Sequence, residues 1–305
     1  MRPRDRDEAA RLSAAMAEYE RASGHLPGIA GTEAAMSLIE QILESQHRVE
    51  FIRRLRDREV APARADARSD LFDPLKAAVV RLKSNDREDA AWLVFLFVHF
   101  GRHRRHPWAY ARETYAGPSQ EAPWDWPHVA SDVDGFERWI VDSAPRIRGA
   151  GGGFGNHRKY ERLEDTGRVV RSYLQWTDQG SQIGRLHASV ARARGDSQTA
   201  FADLYVSMQS VERFGRMARL DYLSTIGRLG LADISPDRAY IEEATGPMRG
   251  AALLWRGNSA RTEAPRELDA CVTALGHALY VGPDVLEDAI CNWQKSPDRF
   301  RPFRA

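Results

Sequence analysis

The run Ala90 to Phe100 (AAWLVFLFVHF) constrains this chain more than any other stretch. As a helix it is apolar on every side, and such a helix has to be buried on most of them. It is about half the ~20 residues that a membrane-spanning helix needs. It therefore reads as the central core helix of a globular fold. A buried strand is the alternative for its Val/Phe-rich half. Asn85 followed by Glu88 three residues later fits a capping box at its start.

Helical spacing recurs through most of the remaining chain. Residues 5–23 place Ala9, Leu12, Met16 and Tyr19 at i/i+3/i+4 intervals. Thr32 then fits the cap of a second helix, with Glu33 in its first turn and Met36, Ile39 and Leu43 on its apolar stripe. Residues 58–70 are polar, rich in Ala and Arg, and contain Pro62, as a loop or linker would. Asp73-Pro74 pairs a capping aspartate with a first-turn proline. Further helices are expected at about 134–143, 165–177, 181–194, 197–212, 217–229, 236–244, 248–255, 265–279 and 283–294. Ser197 and Ser235 fit as caps. With no internal repeat and little sign of strands, the expected class is all-α or nearly so. The expected organisation is an N-terminal helical extension, 1–70, and a helical main domain, 71–305.

Lys+Arg 44 against Asp+Glu 43 leaves a net charge of +1, so only local clustering can point to an anionic partner. Cys271 and Cys291 cannot form a disulfide framework or a zinc site alone, and both fit apolar helix faces as buried thiols. The N-terminus, MRPRDRDEAARL, is charged and lacks the apolar core of a secretory signal. A cytoplasmic location is expected, with no membrane partner.

Four segments carry candidate chemistry. Gly101-Arg102-His103-Arg104-Arg105-His106-Pro107 follows the apolar helix, and residues 102–112 hold four arginines and no carboxylate. Such a cluster either meets phosphate or is a solvated helix end. PSQEAPWDWP, residues 118–127, carries Trp124 and Trp126, which either stack on a base or pin the loop to the core. RGAGGGFGNHRKY, residues 148–160, combines glycines that permit close backbone approach with Arg148, His157, Arg158 and Lys159. It lacks the P-loop pattern and reads as a hinge or as a lid over a phosphorylated substrate.

The fourth segment, Val211 to Trp255, is the densest. A helix, the turn Phe214-Gly215 and a second helix make a hairpin that can present N–H groups to phosphate. Met217, Leu220, Leu223 and Ile226 form the second helix's apolar stripe. Asp221 at its edge is either paired with an arginine (Arg213, Arg216 or Arg249) or poised as an acid–base group. Thr245-Gly-Pro-Met-Arg249-Gly-Ala is a helix start that Thr245 can cap, where free N–H groups and the Arg249 fork suit an anion.

Arg213-Phe-Gly-Arg-Met-Ala-Arg-Leu-Asp-Tyr-Leu, Thr245-Gly-Pro-Met-Arg-Gly-Ala and Leu286-Glu-Asp-Ala-Ile-Cys-Asn-Trp-Gln-Lys295 resemble the alpha-glutamyl/putrescinyl-thymine pyrophosphorylase family. These amino acid:DNA transferases are associated with bacteriophages that hypermodify thymine. The likeness runs from about Ala91 to Lys295, and residues 1–70 show no counterpart. It implies a helical, distantly DNA-glycosylase-like fold with a helix-hairpin-helix core, in the host cytoplasm if phage-encoded. The turn Phe214-Gly215-Arg216 has one glycine where a glycosylase-type hairpin has Gly-x-Gly.

The implied reaction is transfer of an amino acid's or polyamine's amine onto 5-pyrophosphoryloxymethyl-uracil in double- or single-stranded DNA, releasing pyrophosphate. Asp221 would then take or orient the amine's proton. Arg213, Arg216, Arg249 and the 102–105 cluster would neutralise the pyrophosphate. Tyr222, Trp108 or Trp124 would hold the splayed base. No resident cofactor is implied; a divalent metal is compatible with the leaving group, although no dedicated carboxylate cage is visible. The alternatives are a glycosylase-like enzyme on a modified base and a non-catalytic helical DNA-binding protein.

Overall fold

The computed structural model describes residues 2–119, 123–177 and 180–302. Among them the chain forms fourteen α-helices and no strand. In order these are α1 (Arg6–Ser23), α2 (Thr32–Asp57), α3 (Pro74–Lys83), α4 (Arg87–Phe100), α5 (Ala109–Ala116), α6 (Trp126–Ser131) and α7 (Val133–Gly149). There follow α8 (Thr166–Trp176), α9 (Gln182–Arg192), α10 (Ser197–Ser207), α11 (Arg216–Leu229), α12 (Thr245–Arg256), α13 (Pro265–Ala278) and α14 (Pro283–Trp293). The fold is all-α, as expected, and no described helix is long and apolar enough to cross a membrane.

Short polar side chains set many of the helix starts by accepting an otherwise unpaired first-turn N–H. Asp73 accepts from Lys76 N at 3.2 Å, Asp132 from Gly135 N at 2.8 Å and Asp196 from Thr199 N at 2.6 Å. Two expected caps shift by one residue. Asp86, not Asn85, caps α4 and accepts from Asp89 N at 3.2 Å, while Asn85 turns the chain at φ +62°. Asp196 displaces Ser197, whose hydroxyl lies 2.9 Å from that of Ser235.

The helix expected at 236–244 does not form. Tyr240 takes φ +55°, and Ile241 N donates to the buried Asp269 carboxylate at 2.6 Å, so the local helical preference yields to a tertiary bond. Cys271 and Cys291, expected to be buried, are half-buried.

Two compact units result: one takes residues up to Phe51 and from Pro236 onward, the other spans Ile52–Ser235. This differs from the 1–70 and 71–305 division that the polar linker suggested. The linker, wound into a single 3-10 turn at Pro62–Arg64, lies within one unit. The first unit buries Leu12, Leu38, Ile42, Leu254, Val272, Ile290 and Trp293 in one core, so N- and C-terminal helices share it.

The second unit is built on α4, which packs against α3, α5, α6, α9 and α11. Every α4 residue from Asp89 to Phe100 except Phe97 is buried. The all-round apolar run is thus the core helix, and the strand alternative falls away. Phe95 stacks on Tyr173 at 4.1 Å and Phe214 at 5.2 Å. Asp89 ties the tryptophan-rich connection to this core: its carboxylate accepts from Trp126 N at 3.1 Å and Tyr115 OH at 2.5 Å, and meets Arg81 at 2.9 Å. Burial outweighs these partners and pushes the Asp89 carboxyl up to about 6. Trp126 is buried, with its indole N–H on Gly180 O at 2.6 Å, and Trp124 O receives the Trp92 indole N–H at 2.8 Å. Both tryptophans therefore pin the loop.

Candidate functional site

The end of α4 assembles the site. Gly101, at φ +63°, stops the helix and reverses the chain into the basic turn. His103 N bonds to Pro107 O at 2.9 Å and His106 N to His103 Nδ1 at 3.2 Å, which leaves Arg102, Arg104 and Arg105 exposed.

The glycine-rich segment lies directly on this turn. Gly155 N donates to Phe100 O at 2.7 Å, and a Cβ on Gly155 would sit 2.8 Å from Arg102 N. One on Gly152 would sit 2.6 Å from Ala109 Cβ, and one on Gly153 3.2 Å from the His103 ring. At Gly152 and Gly155, then, glycine is needed for close packing, while at Gly153 the neighbour is a side chain that can shift. Phe154 closes the contact against His99, Phe100 and Tyr110.

Arg158 joins this pair of segments to the hairpin. Its Nε donates to His99 O at 3.0 Å and one terminal nitrogen to Arg213 O at 3.0 Å, while the guanidinium lies 5.6 Å from the Phe214 ring centroid. Its other terminal nitrogen approaches His99 Nδ1 at 3.4 Å, so that Nδ1 is an acceptor and the ring proton sits on Nε2, facing Thr166 Oγ1 at 3.1 Å. Burial, with Arg158 beside it, holds His99 well below its ordinary range, so the ring is neutral. Burial likewise pulls Arg158 down, against the attraction of Glu161 and Asp221.

The hairpin runs from α10 through the 3-10 turn Met208–Ser210 and Phe214-Gly215 into α11. Phe214 is buried, and Arg213 adopts φ +54° to make the corner. The Arg213 guanidinium meets Glu161 at 3.4 Å and Asp165 at 2.9 Å. Arg216 is the first residue of α11 and half-buried. From Ala218 to Ile226 that helix is buried except at Asp221. Met217 and Asp221, one turn apart, lie on its exposed strip, and Asp221 is the one carboxylate on α11. Met217 was expected on the buried stripe. Asp221 acts electrostatically on Arg158.

Other candidates take different places. Tyr222 is fully buried, with its hydroxyl 2.7 Å from Tyr173 OH and its ring edge-on to Phe95 and Phe214, so it cannot meet a base. Trp108 packs on Phe97 at 5.1 Å. Trp124 packs between Phe136 and Trp139. His157 and Lys159 are exposed.

Thr245 and Arg249 are exposed on α12, in the other unit. Thr245 is the helix's first residue, and Ala244, which cannot cap through its side chain, holds the N-cap position. Among the described residues no group of three or more His, Cys, Asp and Glu is placed to hold a metal ion.

Sequence reasoning missed two residues. Arg219 is buried on α11, bonded to Tyr205 O at 3.2 Å and 4.3 Å from the Tyr205 ring centroid. Tyr160 is 83% exposed beside the site. Neither had a local signal, since both stand in polar, arginine-rich sequence. A cleft of about 450 Å³ opens next to Arg158, lined by Tyr110, Arg148, Phe154, Glu161, Arg162 and Asp165 among others.

Three turn-rich segments that are far apart in sequence (101–107, 148–160 and 211–221) are thus linked through the glycine-rich segment and Arg158. The family described as alpha-glutamyl/putrescinyl thymine pyrophosphorylase clade 3 matches residues 33–305. No curated protein and no solved structure matches the chain. The family match reaches beyond the Ala91–Lys295 likeness at both ends and takes in α2, where no counterpart was expected. The chain belongs to the alpha-glutamyl/putrescinyl thymine pyrophosphorylase family, whose activity lies in thymine hypermodification.

Proposed function

We propose that this chain transfers an amine onto 5-pyrophosphoryloxymethyl-uracil in DNA and releases pyrophosphate. The observation that supports it best is the meeting of the three segments around Arg158, which brings an outward-facing carboxylate, Asp221, within electrostatic reach of that arginine. In the reaction the amine nitrogen attacks the exocyclic methylene carbon. A C–N bond forms, the C–O bond breaks, and its electron pair leaves on pyrophosphate.

The attacking amine has to shed a proton, and Asp221 is the carboxylate on the exposed strip of α11 that would accept it. The leaving pyrophosphate needs positive charge where its own charge grows. Arg213 is held in place by Glu161 and Asp165, and Arg216 stands at the N-terminus of α11, where unpaired N–H groups also favour an anion. Arg158 is too committed to His99 and Arg213 to be a mobile DNA contact; its role here is to position Arg213 and to face Asp221. Arg104 and Arg105 on the basic turn, with His157 and Lys159, would take DNA phosphates.

The test is mass spectrometry of nucleosides from DNA carrying pyrophosphorylated 5-hydroxymethyl-uracil, incubated with the protein and a panel of amino acids and polyamines. The expected result is a new base adduct, with pyrophosphate released only when DNA and amine are both present. Unchanged DNA with every amine tried would sink the proposal, and abasic sites without an adduct would select glycosylase chemistry.

A further inference from the structure

We infer that Tyr160 is the aromatic face on which a base of the substrate DNA stacks, an inference that rests on the DNA reading above. The side chain is 83% exposed, and Lys159 Nζ lies 5.0 Å from the ring centroid. Three aromatics that the sequence offered for a base are spent elsewhere: Tyr222 in the core, Trp108 on Phe97 and Trp124 on its loop.

Tyr160 does not hang on a loose loop. It lies in the turn Arg158–Glu161, closed by Glu161 N on Arg158 O at 2.9 Å. Both ends of that turn grip the same residue. Arg158 donates to Arg213 O at 3.0 Å, and the Glu161 carboxylate receives the Arg213 guanidinium at 3.4 Å. The turn is therefore fixed to the hairpin corner, and the ring is presented with little left to order on binding. An aromatic side chain has two χ angles to freeze, so stacking on it costs little conformational entropy.

The surroundings match a polyanion. His157, Lys159 and Arg162 flank the ring in sequence and are exposed. The same glycine-rich segment packs on the turn that carries Arg104 and Arg105. Cations for the phosphates beside an open π-face for a base are the two parts from which single-strand contacts are built. The stacking needs no sequence readout, because every base has a π-face.

The experiment uses the full chain and single-stranded oligothymidylate with one 2-aminopurine, at low salt. Binding is followed by anisotropy and stacking by 2-aminopurine quenching. Tyr160→Ala is expected to weaken binding about ten-fold or more and to abolish the quench, and Tyr160→Trp to restore both. The paired variant Arg104→Ala/Arg105→Ala is expected to weaken binding while keeping the quench at saturation. Because Tyr160 is exposed, Tyr160→Ala should melt with the wild type, which circular dichroism checks. A Tyr160→Ala protein with wild-type affinity and quench would overturn the inference and leave the DNA reading standing. A wild-type protein that binds neither this strand nor duplex DNA would overturn the DNA reading, and the inference with it.

Discussion

Two of the stretches that combine glycine with arginine use glycine to join different partners. In the unit Ile52–Ser235, Gly155 lets one loop lie on another and Gly152 lets that loop reach the start of α5, so that the segment bearing Arg158 and Tyr160 meets the basic turn. In the other unit, Gly246 and Gly250 let helix α12 lie on helix α14. A Cβ on Gly246 would sit 2.7 Å from Cys291 Sγ, and one on Gly250 2.4 Å from Ile290 O. The first arrangement brings charged side chains from distant sequence to one place, while the second brings two helices into contact. A glycine beside an arginine is thus ambiguous until it is known what its missing side chain would strike.

The sharpest way to break this contrast is Asp221→Asn. Asp221 is exposed, so the variant should fold and melt as the wild type does. Loss of a general base costs about 10²–10⁴-fold in turnover. Measured amine transfer should fall by that amount, with DNA binding kept. Full activity in Asp221→Asn would remove the reason for regarding the loop-on-loop region as the reactive one.

The glycines themselves come next. Gly250→Ala puts a methyl group against a backbone carbonyl, and α12 has to move off α14; overpacking of this kind costs about 1–3 kcal/mol. Gly153→Ala meets the His103 ring at 3.2 Å, a side chain that can swing away, and should cost under about 1 kcal/mol. Urea unfolding of the two variants separates them. Gly155→Ala is the informative third, because its Cβ would strike the backbone at Arg102. It should displace the basic turn and weaken DNA binding more than Gly250→Ala does. The reverse order would equate the two regions.

How much of this was legible in the sequence follows from the range of the interactions. Ala90 to Phe100 declared itself as the core helix because hydrophobicity on every side has one outcome. Many helix starts were legible to within a residue, since caps are local: Asn85 and Asp86 compete for one position, and the positive φ of Asn85 decides it. Others were not: α12 starts at Thr245 where 248 was expected, and α5 and α6 were not expected. The helix expected at 236–244 failed because Asp269, far along the chain, takes Ile241 N. The site residues were legible as types and not as a constellation. Arg158 was marked as a phosphate ligand, and only the fold shows it bound to two backbone carbonyls. Tyr222 and Tyr160 look alike locally; burial of α11 on nearly all sides separates them.

The two units also share a device, and pH tests how far the sharing goes. Asp89 and Asp269 are both buried, both accept a backbone N–H from a distant part of the chain, at 3.1 Å from Trp126 at the start of α6 and at 2.6 Å from Ile241 in an irregular segment, and both face an arginine. Burial pushes both carboxyls up, Asp89 to about 6 from 3.8. A folded value above the unfolded one means that the native state holds the proton more tightly. The stability it contributes is full below about pH 4, is lost as pH rises to about 6, and stays constant beyond. For Asp89 the loss is about 3 kcal/mol at ~1.4 kcal/mol per unit. Asp89→Asn should flatten the stability profile across that window in urea titrations, and Asp269→Asn should flatten it in the same direction. If only one does, the likeness between the units ends at geometry.

The smallest effect belongs to the basic turn, and it tests whether charge or placement makes that region different. Arg104 and Arg105 are exposed, so removing either should leave stability within about 0.5 kcal/mol. If each neutralises one DNA phosphate, each alanine substitution should lower the slope of log affinity against log salt by about 1. The loss should be the same on any DNA sequence, because phosphate contacts position the strand without reading it. Arg249→Ala on α12 is the matched control from the other unit: an exposed arginine beside glycines that serve helix packing. An unchanged salt slope there, with reduced slopes for Arg104→Ala and Arg105→Ala, would confine the DNA contact to the loop-on-loop region. Equal slopes in all three would mean that any exposed arginine suffices and that the convergence around Arg158 does not select the binding face.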